Sequence, residues 1–291
     1  MDIGPQVVDG IFKELSIDEK WSVREPWGFT WWSGPLRQRV WAEEPFEDKG
    51  LNIVRLHART DLIREFRGKK LERDRLAKWM ANSTTSGIVR DPGDPTRLQQ
   101  ASSMFGHEDS VQWVSKLFEF VVLSQNIEAL TTCDNLALIL EAEADLSQHP
   151  ISGTRDEPDE MTGFVGLVVE PQGCLPSRYA GPEMASLTDF FRESFAVLTK
   201  GDEVMVTTEF PFLGRTSLAR FVAMDPHPAL GCGLLVTLGL PGRWEKPGET
   251  ALTLNEQELK VFNGAHFLGS WCLGPKGTIS YVSFLPNVIY S

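Results

Sequence analysis

Five histidines and four cysteines are the residues of this 291-residue chain best suited to acid–base or nucleophilic chemistry, and their spacing argues against both. His57, His107, His149, His227 and His266 are scattered, and no two share a helical face at the spacing that lets paired imidazoles hold a metal. His107, beside Glu108 and Asp109, has the neighbours of a general base, but it lies where a long predicted helix begins and reads as part of the cap region. His266 with Cys272, and His227 with Cys232, pair a thiol with a base, yet both fall within or beside predicted core. Cys133, Cys174, Cys232 and Cys272 form no Cys-x-x-Cys pair and are too few to staple a chain of this size, so they read as reduced, buried thiols. The glycine-rich phosphate and dinucleotide loops, the His-Glu-x-x-His metal pair and the Gly-x-Ser-x-Gly elbow are missing, so no cofactor and no metal is expected.

Charge narrows the partners. Lys and Arg total 28 against 40 Asp and Glu, a formal charge of −12 with a pI near 5.0. Such a field repels phosphate backbones and counts against nucleic acid. Two local clusters depart from a uniform surface. The basic stretch Arg64, Arg67, Lys69, Lys70, Arg73, Arg75 and Lys78 is read as an exposed helix face with salt-bridged neighbours, and the acidic group Asp156, Glu157, Asp159 and Glu160 as solvated linker. No apolar run reaches the roughly 18 residues of a spanning helix, and the first ten residues lack a signal-peptide pattern; a soluble, cytoplasmic protein without membrane association is expected.

Nine tryptophans and seventeen phenylalanines against three tyrosines make an aromatic load concentrated at Trp27, Trp31, Trp32 and Trp41. Neighbours on a strand point to opposite faces, so Trp31 and Trp32 cannot both enter one core, and one of them is a candidate for a partner-binding surface. Alternation places Arg37, Arg39 and Trp41 on one face of a strand and Val40 and Ala42 on the other. The same pattern returns as Leu218, Arg220 and Val222 against Phe221 and Ala223. The Arg39 and Arg220 faces are thus either a partner groove or, as the plainer alternative, the interface between two sheets.

That recurrence extends along the chain. At an offset of 181, Arg39, Ala42, Pro45 and Gly50 fall on Arg220, Ala223, Pro226 and Gly231, and residues 51–56 lie over 232–237. At 183, Leu71, Leu76 and Trp79 lie over Leu254, Leu259 and Phe262, and the turn 91–94 over 274–277. Each copy reads as a helix (6–15; 187–198), three strands (27–33, 36–44, 51–60; 203–210, 217–224, 233–240), a helix (70–82; 255–267) and a hairpin (86–90 with 96–102; 270–273 with 278–285). A long closing helix, 108–130, with helical pattern resuming at 137–145, follows only the first copy. The expected class is α+β: two tandem related domains, each an antiparallel sheet with helices packed on one face. The first spans 1–150, a linker with a short β segment at 163–169 spans 151–182, and the second spans 183–291. The apolar mass of 111–145 is available to cover the second sheet.

This order of elements, with the closing run 279–287, resembles the class I type III secretion chaperones and the YbjN-like proteins. The resemblance implies a non-enzymatic, chaperone-like or adaptor protein that binds another polypeptide, or itself, as a homodimer or as a monomer with an internal pseudo-dimer. Trp31, Trp32, Arg39, Trp41 and Arg220 are the candidate contact residues and no catalytic residue is assigned. The alternative is an enzyme of an unfamiliar family, hydrolase-like, with its site between the domains.

Overall fold

A computed structural model of the chain describes residues 3–160, 176–210, 215–223, 227, 231–260, 266–274 and 277–287. It shows an α+β protein with two antiparallel sheets. The chain opens with helix α1 (Ile3–Glu14), whose Ile3, Val7, Val8, Ile11 and Phe12 make one buried stripe. Strands β1 (Ser22–Glu25), β2 (Gly28–Trp31), β3 (Gln38–Ala42), β4 (Phe46–Asp48) and β5 (Leu51–Arg64) follow. Helix α2 (Lys70–Trp79) leads into β6 (Gly87–Arg90) and β7 (Leu98–Gly106), and then helix α3 (Val111–Leu140) and the two-residue β8 (Glu143–Ala144). The second half comprises α4 (Pro182–Arg192), β9 (Ala196–Lys200), β10 (Glu203–Phe210), β11 (Arg215–Val222), β12 (Gly233–Leu240), α5 (Pro247–Lys260), β13 (Ser270–Leu273) and β14 (Ile279–Pro286).

The first sheet runs β1-β2-β3-β5-β7-β6, with β4 and β8 paired to β5, and the second runs β9-β10-β11-β12-β14-β13. In chain order these are the same path. The pairing agrees residue by residue: Thr30, Arg39, Arg59, Ala101 and Gly87 form one cross-strand row, and Met205, Arg220, Thr237, Val282 and Ser270 its counterpart. One part of the sequence offset is corrected by this register. Arg59 answers to Thr237, so residues 51–56 do not lie over 232–237; the first unit carries three extra residues in the β4–β5 hairpin. A three-residue slip is odd and turns each side chain to the opposite face, which apolar runs alone cannot reveal.

Helices α1 and α3 cover one face of the first sheet. Midway along α3, Gln125 Oε1 accepts from Thr60 Oγ1 (2.9 Å) and Gln38 Nε2 (3.0 Å), and its Nε2 donates to Ser102 Oγ (3.1 Å) and the Ala58 carbonyl (3.3 Å). Every polar atom of that buried amide is thereby satisfied. Beyond this polar turn, Leu136 and Leu140 of α3 join Leu76 and Met80 and, from the second half, Leu252, Trp271 and Ile279 in one apolar cluster. Helix α2 packs on α5 and on β13, while α5 packs on β6. Ser103 and Phe267 exchange backbone hydrogen bonds (3.0 and 2.8 Å), and the Phe284 N–H donates to the Thr84 carbonyl (3.0 Å). By the cross-strand rows above, in which Ala101 answers to Val282 and Gly87 to Ser270, Ser103 corresponds to Phe284 and Thr84 to Phe267, so each half supplies the other with the matching contact.

Several element expectations are corrected. Residues 137–145 are not one helix: α3 ends at Leu140 with Glu141 in the left-handed region, and β8 then pairs with Ile63 and Arg64. Residues 196–198, expected at the end of a helix, form β9, because Val197 and Leu198 complete the edge beside Val206 and Met205. Helix α5 starts at Pro247, where proline suits the first turn, well before residue 255. Of the acidic group read as solvated, Asp156, Glu157 and Glu160 are exposed and Asp159 is buried. The Asp159 side chain pairs with Arg155 (3.2 Å), its N–H meets the Ser33 carbonyl, and the Ser147 N–H donates to Pro35. The expected β segment 163–169 lies outside the described residues. Helix α3 lies on β5 and β7, and at the junction the second sheet packs on α2 and α5.

Candidate functional site

The helix-free face of the first sheet follows from alternation. Gln38, Val40 and Ala42 of β3 are buried on the helix side, which sends Arg37, Arg39 and Trp41 the other way. On β5 the residues paired beside them, Arg55, His57, Arg59 and Asp61, share that face. Trp41 stacks on His57 with ring centroids 4.7 Å apart and planes 13° from parallel. The guanidinium groups of Arg39 and Arg59 lie 5.1 and 5.4 Å from the Trp41 ring, within cation–π range.

Hydrogen bonds fix most of the charges. Arg39 donates to Glu25 (2.7 Å), Arg37 Nε to Asp61 (2.8 Å), and Arg97 Nε to Asp145 (2.7 Å) and its terminal nitrogen to Asp61 (3.3 Å). Gln99 Nε2 donates to the other Asp61 oxygen (2.8 Å) and to Asp91 (3.2 Å). Burial pushes the Asp61 carboxyl up, with Arg37 opposing. His57 Nε2 lies 2.7 Å from Glu43 Oε1; that hydrogen bond holds the Glu43 carboxyl below its ordinary range, and burial pulls the imidazole down. With 2% exposure, His57 is a support beneath Trp41 rather than an accessible base. Arg59 differs from its neighbours. It has no ion pair within 4 Å among the described residues, its buried Nε has no hydrogen-bond partner, and burial, Arg39 and Arg55 depress its pKa against the pull of Asp91.

These residues line an open hollow of about 450 Å³ bounded by Glu25, Thr30, Arg37, Arg39, Trp41, Arg59, Asp61, Asp91 and Gln99. Through Arg59 and Asp91 it adjoins a second hollow of about 250 Å³, where Val89, Pro92 and Pro95 of the first half face Leu259 and Lys260 of α5. Farther across the sheet, Val89 and Ala101 are covered by Phe267 with Leu259 beside them. The face is thus divided: its β6–β7 side meets the other half of the chain, and its β2–β3 side is open.

The sequence candidates fall in three places. Arg39 and Trp41 line the hollow. Arg220 lies on the second sheet, paired to Glu203 (2.7 Å), and does not join them. Trp31 and Trp32 are corrected as surface candidates. Trp31 is fully buried on the helix side, donating to Gln38 Oε1 (2.5 Å), and Trp32 is 4% exposed, donating to Ser147 Oγ (2.9 Å) with its ring edge-on to His149. Trp31 is covered by α3, and Trp32, one residue past the end of β2, by the segment after α3, so neighbouring tryptophans need not leave one outside. Arg59, Asp61 and Asp91 were missed by sequence reasoning. The available signal was the polar set Arg55, His57, Arg59 and Asp61 at every second position between Val54, Leu56 and Ala58.

The remaining chemical candidates do not converge. Burial pushes the Cys133 thiol up to about 11 and Cys272 up to about 12, far from a reactive thiolate. His266 Nδ1 accepts the Phe105 N–H (3.1 Å) and His227 Nε2 meets the Asn82 carbonyl (2.6 Å). His107 closes the start of α3 through its backbone, bonded to Ser110 Oγ (3.0 Å). Arg64, Arg73 and Arg75 pair with Glu143, Glu249 and Glu141. Among the described residues no three His, Cys, Asp or Glu side chains come together to hold a metal, and no helix is long and apolar enough to cross a membrane. Comparison with protein-family models, curated proteins and solved structures gives no match.

Proposed function

We propose that this is a binding protein, chaperone-like or adaptor-like, that holds a segment of another polypeptide along the open face of the first sheet. One observation carries the reading: a polar hollow lined by Trp41 shares Arg59 and Asp91 with a smaller one bordered by Val89, Pro92, Pro95 and Leu259. An extended segment advances about 3.3 Å per residue and presents alternate side chains to one side, which suits two adjoining hollows of different polarity. Arginine and tryptophan are the side chains that most often dominate such contacts, because each offers a large rigid surface with directional donors. The matched contacts between the halves support a monomer that is its own pseudo-dimer.

The test is selection of random peptides on the full chain, with counter-selection on an Arg39→Glu, Trp41→Ala variant. Enrichment of a sequence class that the variant does not retain is expected. Equal enrichment on both proteins, or none on either, would remove the groove from consideration.

A further inference from the structure

Resting on that reading, the geometry points to Arg59 as the recognition residue for a carboxylate in the bound segment, with an apolar side chain of the same segment entering the adjoining hollow by Pro92 and Leu259. Of the cations lining the larger hollow, Arg37 and Arg39 are already paired, to Asp61 and Glu25, and Arg59 is not. The lining carboxylates are equally engaged: Asp61 accepts from Arg37, Arg97 and Gln99, and Asp91 accepts from the Gly93 N–H (2.8 Å) and from Gln99. Arg39 and Arg59 also sit directly opposite each other on β3 and β5, a like-charged cross-strand pair that an incoming anion would relieve. The Arg59 Nε is buried, so the donors left to meet a ligand are the two terminal nitrogens, which carry no ion pair among the described residues and whose planar pair suits a carboxylate or phosphate oxyanion. Glu25, Asp61 and Asp91 around the rim favour the singly charged of these, since repulsion grows with ligand charge.

Position fixes the rest of the pattern. Arg59 borders both hollows, so a side chain held there is followed on the same side of an extended chain, two residues along, by one that reaches the smaller hollow. The occupant is therefore an acidic segment with an apolar residue two positions from an Asp or Glu.

The best peptide from the selection above is synthesised in three forms, with its acidic residue kept, changed to the amide, or replaced by phosphoserine. Each is titrated by calorimetry against the wild-type chain, Arg59→Gln and Arg59→Lys, with thermal unfolding as the check on folding. The amide form should bind wild type about tenfold or more weakly than the acid. That penalty should vanish on Arg59→Gln and return in part on Arg59→Lys, which keeps the charge without the fork. An equal penalty on wild type and Arg59→Gln, a selected class with no acidic residue, or tighter binding of the phosphoserine form would each overturn the assignment while leaving the groove in place. Failure to enrich any peptide on wild type over the counter-selected variant would overturn the groove and the assignment together.

Discussion

The same cross-strand row occurs in both sheets with different chemistry. In the first it reads Thr30, Arg39, Arg59, Ala101, flanked by Arg37 and Trp41; in the second it reads Met205, Arg220, Thr237, Val282, flanked by Leu218 and Val222. The second row holds one arginine, already paired with Glu203, and places Thr237 where the first holds Arg59. Its surroundings are apolar and open, with Leu198 65% and Leu218 42% exposed. Backbone topology is thus indifferent to what the free face carries. On its free face the first sheet keeps the like-charged cross-strand pair Arg39 and Arg59 and a buried guanidinium nitrogen without a partner, arrangements that cost stability; the second sheet pairs Arg220 with Thr237 there, and its own buried unpartnered hydroxyl, Ser217, alternates to the opposite face. A stability cost confined to one of two matching faces is what a ligand contact would require.

The strongest way to break this comparison is to alter the two faces in parallel. Arg39→Glu with Trp41→Ala should weaken a selected peptide about a hundredfold, equivalent to about 2.7 kcal/mol, whereas Leu218→Ser with Val222→Ala should leave its Kd within about twofold, both read by calorimetry. Comparable losses from both variants would make the faces equivalent. A somewhat smaller effect concerns α3, which rests on the first sheet. Glu128 of α3 accepts from Thr84 Oγ1 (2.7 Å), and burial raises its carboxyl from 4.5 to about 7. A carboxyl raised in the folded state binds its proton more tightly there than in the unfolded chain. Its contribution is therefore complete below about pH 4.5 and is lost as pH rises through about 7. Glu128→Gln should remove that slope, gaining on the order of 2 kcal/mol over wild type at pH 8 in urea unfolding. Identical pH profiles for the two proteins would refute it. The smallest effect is at the junction, where Arg90 makes two hydrogen bonds to Glu256 (2.5 and 3.0 Å). A double-mutant cycle with Arg90→Ala and Glu256→Ala should give a coupling of about 1 kcal/mol, with one unfolding transition for both halves. Two separated transitions would show that the shared cluster does not join them.

Much of this was legible in the sequence because it depends on local periodicity. Alternation along β3 places Arg39 and Trp41 together and away from Val40, and the structure keeps that arrangement. Apolar spacing at Val7, Val8 and Ile11 gave α1. The failures share one cause, which is that covering surfaces come from elsewhere in the chain. Trp32 is hidden by Ser147 and His149, more than a hundred residues away, and Asp159 is drawn from solvent by Arg155 and Ser33. Arg59 could be placed on the correct face by alternation, but its lack of a partner depends on where Asp61, Asp91 and Glu25 direct their oxygens.

By itself the sequence determined the α+β class, the order of most elements and the face on which Arg39 and Trp41 stand, since hydrophobic period and side-chain alternation are properties of neighbouring residues. Tertiary structure alone decided that one half of that face is closed by Phe267 and Leu259 while the other stays open, and that Arg59 is left over when the charges pair. Pairing and covering are contests among groups distant along the chain, settled by which of them folding brings within a few ångströms.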